Sequence, residues 1–548
     1  MRERAALALA ATGDSRAIEV LLSAVAKASS GAEAASAALV AHPPVNIELL
    51  LTAPALTSVP IIELLAELRD LRAIPALRGV VGKDDISART AAAVALAKLG
   101  DEFAAAAARN WLSQAGSTNE QREAATRVLT LLRAPDAPRA MSIFLAEPTT
   151  RNKAIAIALA APSPQIAPSL AGFLSIASPE QRKDTIVALS RSGGATATQV
   201  FEQQAAKYPE DRTLGFALAH CADRSVTSLL NRLLRAPAMR LMAARASIVR
   251  VLETGDEPEA LRDSLSLMLA SGVAVDRQTA AFGLAILRPS YFDTLLAAKD
   301  PSIVRATCSA ASTMGERERR ACTALISSTS DPMLRCAASA TAFGDVTLND
   351  VSTLRLLELV ETEDAAYAAA ARALGTRDSE VIRPRIRRLL ATGNPVLRSQ
   401  ISLGLANSPL SSAVSILADA YETEADALVR RAIVRALSAR REVQKLEALR
   451  HAAVLDPDAA VRAMASAALA GRRVDVPERG RHVAWIWVDT TNGGATKTSR
   501  AALVVSSTGL AIAVASDDDG SILVPGLPPG DSIVQLASVA SSQQSSVK

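Results

Sequence analysis

The chain has 548 residues, 49% of them hydrophobic, so it can bury a large core, yet aromatics are only 3% and much of the apolar content is alanine. Its 60 Lys/Arg against 56 Asp/Glu leave a formal charge of +4, a balance that excludes a field strong enough to define an anionic partner. No stretch supplies the roughly 20 apolar residues of a membrane-spanning helix, and the longest tempting run, 501–516, is interrupted by Ser506-Ser507-Thr508-Gly509.

At the N-terminus Arg2 and Arg4 precede Ala5 to Ala11 and imitate a secretory signal. A repeat accounts for the segment better. Arg4 takes the repeat's arginine position, Gly13-Asp14 its turn, and Ser15 to Lys27 its following helix. The chain is therefore expected to open inside a unit, so that either upstream sequence has been removed or the exposed helix meets a partner, a second copy included.

The repeat itself is clearest at Asp300-Pro301-Ser302-Ile303-Val304-Arg305, Asp331-Pro332-Met333-Leu334-Arg335, Asn394-Pro395-Val396-Leu397-Arg398, Ala427 to Arg430 and Asp456 to Arg462. Each arginine is followed by an Ala/Leu-rich helical run. Marks at Arg89, Arg122, Arg151, Arg182, Arg212, Arg245 and Arg277 extend the series, Tyr367 holds its phase, and degenerate units near Glu33 and Val59 fill the N-terminal gap. A period near thirty predicts a solenoid of about sixteen helix pairs, each too thin to bury its apolar side alone.

Within a unit, the apolar residues after Arg89 recur at three- and four-residue spacing, Gly100 offers a left-handed helix end, and Asp101 can cap the next helix. Gly13-Asp14, Gly255-Asp256 and Gly344-Asp345 repeat the device. Asp-Pro at Asp300, Asp331 and Asp456 places a cap and a first-turn proline at the other junction. The recurrent arginines, Arg89, Arg305, Arg335, Arg398, Arg430 and Arg462, are expected to form a structural ladder, reaching carbonyls or the acidic cap of the neighbouring unit. From Arg372 to Arg473 there are 17 Lys/Arg against 10 Asp/Glu. Within that stretch Arg383, Arg385, Arg387 and Arg388 form a short run that is a candidate partner surface.

This Asp-Pro, Val-Arg, Ala-Leu, Gly-Asp pattern resembles HEAT repeats, in the short variety also found in the phycobilisome lyase HEAT-like class, over roughly residues 1–473. The resemblance implies a right-handed superhelix of antiparallel helix pairs that offers a long concave surface to protein partners. Sixteen units of helices about 10 Å across would make a curved rod on the order of 150 Å long.

Beyond Arg473 the composition changes. Residues 474–481 read as an extended linker, and residues 482–538 as a small β-sandwich with strands at His482 to Asp489, Ala502 to Ser506, Leu510 to Ala515, Ser521 to Val524 and Ile533 to Ala537. Turns fall at Asn492-Gly493-Gly494, Thr508-Gly509 and Pro525 to Gly530. Asp519 to Asp531 resembles the carboxypeptidase regulatory-like, transthyretin-type sandwich. Ile522 and Ser532 stand where that family usually has aromatics. Such modules are non-catalytic and common in bacterial envelope proteins. Residues 539–548 read as a disordered tail.

No catalytic, cofactor or metal motif emerges. His42, His220, His451 and His482 fall in separate units, and the adjacent residues of His220-Cys221-Ala222-Asp223 point in different directions on a helix. Cys221, Cys308, Cys322 and Cys336 read as small core residues. Asp517-Asp518-Asp519-Gly520 is either a solvated turn or a Ca²⁺ loop. Trp485 and Trp487 share one strand face, covering the sandwich core or docking it on the last helical unit.

The function expected is a non-catalytic scaffold, not an enzyme, that holds a protein partner on the solenoid, with the β-domain capping its C-terminal end. Two alternatives are a nucleic-acid-binding HEAT-like protein using the Arg-rich units, against which the near-neutral charge argues, and a lyase-like modification factor. Compartment signals divide. The β-domain resemblance favours the periplasm or cell surface, slightly outweighing the unpaired cysteines and missing signal that favour the cytoplasm.

Overall fold

The computed structural model describes residues 16–27, 32–41, 47–51, 55–209, 211–342, 348–362, 364–377, 382–472, 474, 482–487, 501–506, 511–527 and 532–536. They form two compact units, Met1–Leu233 and Leu234–Lys548. Both are built from alternating short helices, and the second also carries five strands.

In the first unit the helices Val59–Leu68, Ile86–Lys98, Asn119–Leu131, Arg151–Ala160, Pro179–Ser192 and Arg212–Ala219 pack each on the next to make one row. The helices between them make the opposite row. Arg89, Arg122, Arg151, Arg182 and Arg212 all fall on the first row. In the second unit this arginine row comprises Arg240–Thr254, Ala274–Leu287, Pro301–Ala311, Pro332–Ser339, Tyr367–Gly375, Pro395–Leu405, Ala427–Ala439 and Ala459–Leu469, which carry the marks from Arg245 to Arg462. The expectations on Arg4, Gly13-Asp14 and Gly344-Asp345 lie outside the described residues.

Local chemistry sets the junctions. Asp85 accepts from the Ser87 and Ala88 amides at 2.9 and 3.2 Å and starts its helix. Gly100 ends that helix at φ +80°, a conformation that costs glycine nothing. Asp101 then accepts from the Phe103 amide at 3.1 Å and from both arms of Arg78 at 2.7 and 2.8 Å. Asp300 and Asp331 cap their helices just ahead of Pro301 and Pro332. The last helix departs from the expectation. Its cap is Asp458, bonded to the Val461 amide at 2.9 Å, because the Asp456 carboxylate is taken by Arg430.

The strands are β1 (His482–Trp487), β2 (Ala501–Ser506), β3 (Ala511–Ala515), β4 (Ser521–Leu527) and β5 (Ser532–Leu536). β1 pairs antiparallel with β4, and β2 lies between β3 and β5, antiparallel to both. The turn expectations at Asn492 to Gly494, Thr508-Gly509 and Pro528 to Gly530, most of the linker and the tail lie outside the described residues.

Every residue of β2 is buried, which one sheet face on another cannot achieve. Ala502 and Val504 pack with Ile522 and Val524 of the other sheet, whereas Ala501, Leu503 and Val505 pack with Cys336, Ala365, Ala368 and Val396 of the helices. A strand covered on both faces reads as a continuous apolar run instead of an alternating one. β3 packs on Pro301–Ala311, Pro332–Ser339 and Tyr367–Gly375, and β1 on Arg240–Thr254.

This corrects the end-cap expectation. An end cap would shelter the last pair, Lys445–Leu455 and Ala459–Leu469, but the sheets lie along the side of the arginine row. The side offers a surface of small residues, Cys336, Ala365 and Ala368 among them, that takes the Ala501, Leu503 and Val505 face of β2. Chain length adds a further inference about the second unit. A straight row from Arg240–Thr254 to Ala459–Leu469 spans seven helix intervals, about 60 Å or more. Arg472 and His482 are ten residue steps apart and so lie at most about 35 Å from one another, and the Val483 amide bonds Glu253 at 3.2 Å. The row is therefore bent, with the sheets on its inner side.

Candidate protein-interaction surface

Several of the recurrent arginines make contacts both within their own repeat and to the next one. Arg277, Arg335, Arg430 and Arg462 each donate to the carbonyl six residues upstream, at 3.0, 3.0, 3.2 and 2.7 Å. These carbonyls lie where the opposite-row helix has ended, and such groups need a donor. The other arm reaches an acid of the following unit: Arg182 to Asp211 at 2.6 Å, Arg277 to Asp300 at 3.0 Å, Arg335 to Asp364 at 2.6 Å, Arg398 to Glu424 at 2.8 Å and Arg430 to Asp456 at 2.9 Å. Arg89 donates to the Val81 carbonyl at 3.2 Å and lies over the Trp111 ring. We expect Arg430→Ala to cost about 2 kcal/mol in chemical denaturation. It orphans the fully buried Asp456 carboxylate, which keeps the Tyr421 hydroxyl at 2.5 Å and the Asp458 amide at 2.8 Å.

Two ladder arginines do something else. Arg245, only 3% exposed, donates to Asp519 at 2.7 Å and Asp517 at 2.9 Å, more than 270 residues along the chain. Arg305 stands 3.7 Å from Asp518. Gln278 accepts from the Asp518 amide at 3.2 Å, and Thr279 accepts from Arg245 at 3.1 Å. Burial works against charge on Arg245, but Asp517 and Asp519 hold its pKa above the ordinary arginine value. The Asp517 to Asp519 turn, read as a Ca²⁺ candidate, thus meets guanidinium groups instead of an open cation site. Among the described residues no cluster of three or more His, Cys, Asp or Glu has metal-holding geometry.

The remaining candidates are distributed along the solenoid and do not converge. Arg385 and Arg388 both pair with Glu361, the latter at 2.8 Å, and Arg387 lies 3.6 Å from Asp419. These partners neutralise charge that a phosphate backbone would require. Because the pairs are about half exposed, Arg385→Ala should shift stability by less than about 1 kcal/mol. Cys221, Cys308, Cys322 and Cys336 are buried, and burial pushes the Cys308 and Cys336 thiols up, away from the nucleophilic thiolate. Trp485 and Trp487 stack at 4.5 Å, and the Trp485 indole donates to Ser521 on β4 at 2.9 Å.

The surface missed by sequence reasoning is the inner side of the arginine row. The residues two before and one or two after each mark point there. Around Arg335 these include Met333 and Cys336, and around Tyr367 they include Ala365, Ala368 and Ala369, all at the sheet contact. In the first unit the corresponding Ser87, Thr90 and Ala91, with Glu120, Glu123 and Ala124, line a groove of about 370 Å³. The signal available was the opening of the unit after Arg245. Its helix cap is Val273, where the following unit has Asp300, the partner of Arg277, so Arg245 has no acid at that cap.

Residues 353–438 and 393–470 match the family model for HEAT repeats. No curated protein matches the chain in sequence. Among solved structures, the chain is similar to Kap121p at 14% identity, covering 77% of this chain and 56% of that one, with a TM-score of 0.37. It is similar to importin beta at 14% identity, covering 83% and 67%, with a TM-score of 0.29. It is also similar to the myosin chaperone UNC-45 from C. elegans at 11% identity, covering 74% and 65%, with a TM-score of 0.27. The chain thus spans little more than half the length of Kap121p.

Proposed function

From a chain of HEAT repeats that already holds a β-module against its arginine row, we propose a non-catalytic scaffold that binds a partner protein along the same row of the first unit. The single observation that carries this reading is the shared register. The positions that seat β3 in the second unit line the Ser87 to Arg127 groove in the first. The groove is amphipathic. Ala66, Ala91, Ala95 and Ala124 give small apolar contact, while Glu63, Lys98, Glu120 and Arg127 offer charge. A partner segment of mixed composition suits it.

The finer assignment of the five strands to a carboxypeptidase regulatory-like sandwich belongs to the same proposal. Its support is the five strands in two small sheets and the Asp519 to Asp531 motif of the sequence. Here the module acts as a lining of the second unit instead of a cap.

A photo-crosslinking amino acid placed at Ala91 or Ala124, with Ile143 on the opposite row as comparison, tests the scaffold in extracts of the source organism. A discrete protein adduct at the groove positions and none at Ile143 is the expected result. Adducts at Ile143 alone, or at no position, would remove the proposal.

A further inference from the structure

We propose that the end of the second unit, formed by Lys445–Leu455 and Ala459–Leu469, is a further protein-docking surface, which takes the acid-bearing end of a partner's helix pair as if it were the next repeat. This surface lies outside the first-unit groove and does not depend on it.

The helices one unit earlier, Ala413–Thr423 and Ala427–Ala439, show what a following neighbour covers. Their Val414, Ile416, Ala432, Ala436 and Leu437 are at most 3% exposed. The residues 32 positions on, as Arg462 is from Arg430, are Leu446, Ala448, Met464, Ala468 and Leu469, and each is only partly buried. Among the described residues no helix follows Ala459–Leu469, and the strands lie along the side of the row. The face that stacks in every earlier unit is therefore wet in this one, and the last unit of a solenoid needs cover.

Arg462 says what kind of cover fits. Like Arg430 it is buried, and it donates to the Asp456 carbonyl at 2.7 Å and to the Pro457 carbonyl at 3.0 Å. In the other pairs a second arm reaches an acid 23 to 29 residues ahead, as Arg277 reaches Asp300 and Arg335 reaches Asp364. From Arg462 that interval begins at Trp485, inside β1, which packs on Arg240–Thr254. No acid among the described residues pairs with Arg462. The row thus ends on a guanidinium placed for a carboxylate of a unit that is not there.

The charge around it has the same sign. Asp456 belongs to Arg430, and Asp458 to Arg431 at 2.7 Å. Glu447 is the acid left over, against Lys445, Arg450, Arg462 and Arg472. Two copies of such a face would set like charges against each other, whereas an acidic helix end complements it. The occupant is therefore a partner protein's helix pair, with Asp or Glu at the opening of one helix and small apolar residues behind it. Acids are also favoured at that end of a helix.

The probe is a fluorescent peptide of residues 456–470, whose first aspartate is the residue that Arg430 holds within the chain. It is titrated with the full-length protein and followed by anisotropy. Saturable binding with a Kd between about 10 µM and 1 mM is expected, weak because a helix this short is marginal alone. Arg462→Ala in the protein, or Asp456→Asn in the peptide, should each weaken binding about fivefold, and the two together no more than either. Met464→Glu, which leaves the bonds of Arg462 in place, should weaken it at least about tenfold, while Ile143→Glu in the first unit changes nothing. No saturable binding below about 1 mM, or equal binding by Met464→Glu, overturns the surface. So does a dimer in sedimentation velocity that Met464→Glu abolishes, since a second copy would then fill the end. Crosslinks at Ala91 and Ala124 report on the groove alone, so either surface can fail without the other.

Discussion

Arg245→Ala is expected to release β2, β3 and the Asp517 to Asp519 turn from the helices at a cost of about 3 kcal/mol at neutral pH, because it strips two sheltered carboxylates of their shared partner. Limited proteolysis should show this as early cleavage within 501–536 while the helical fragment persists. Once lifted, β2 would expose Ala501, Leu503 and Val505 to water, and the small sheet core around Val504 and Val524 would lose the contribution of Ala340. Release should therefore unfold the strands instead of freeing an intact domain. Arg245→Lys should lie between the two, since one ammonium cannot repeat the forked contact. Equal protease resistance of Arg245→Ala and the wild type would mean that apolar packing alone holds the seam.

Gly404→Ala should lower stability by about 3 kcal/mol through a different cause. A Cβ on Gly404 would stand 2.2 Å from the Arg372 carbonyl oxygen and 2.9 Å from the Gly375 Cα. The helices Tyr367–Gly375 and Pro395–Leu405 touch backbone to backbone, so no side-chain rotation can relieve the overlap and the units must part. The same substitution at Gly79, exposed within Ile74–Val81 with nothing within 4 Å of its Cβ site, should instead stabilise by up to about 1 kcal/mol through helix propensity. Thermal unfolding of the two variants should therefore move in opposite directions. A Gly404→Ala protein that melts with the wild type would contradict the close crossing.

The two glycines show how far reading the chain can go. Gly100 and Gly375 both come at the end of an Ala/Leu-rich run in the repeat, Gly100 just past its helix and Gly375 as the last residue of Tyr367–Gly375. Yet Gly100 is needed for its φ of +80°, with open space around it, whereas Gly375 is needed because a Cβ there would meet the Ile401 carbonyl at 2.6 Å. One role is local and the other is contact, and a single letter carries both. The ladder arginines divide the same way. Arg335 and Arg430 find acids one unit ahead, as the spacing suggests, while Arg245 finds its acids on a strand turn over 270 residues away.

What the amino-acid order determined by itself is the set of elements: helices from three- and four-residue apolar spacing, their ends from Asp, Pro and Gly, the thirty-residue beat that makes copies stack, and the strands after His482. Each of these follows from interactions within about one period of the chain. The tertiary structure alone decided where the strands rest, which arginines leave the ladder to hold them, and which glycines let helices touch. In a chain with 60 basic and 56 acidic residues, any arginine could pair with many carboxylates. Only burial against a particular row of helices, closing loops of hundreds of residues, selects one pairing over the rest.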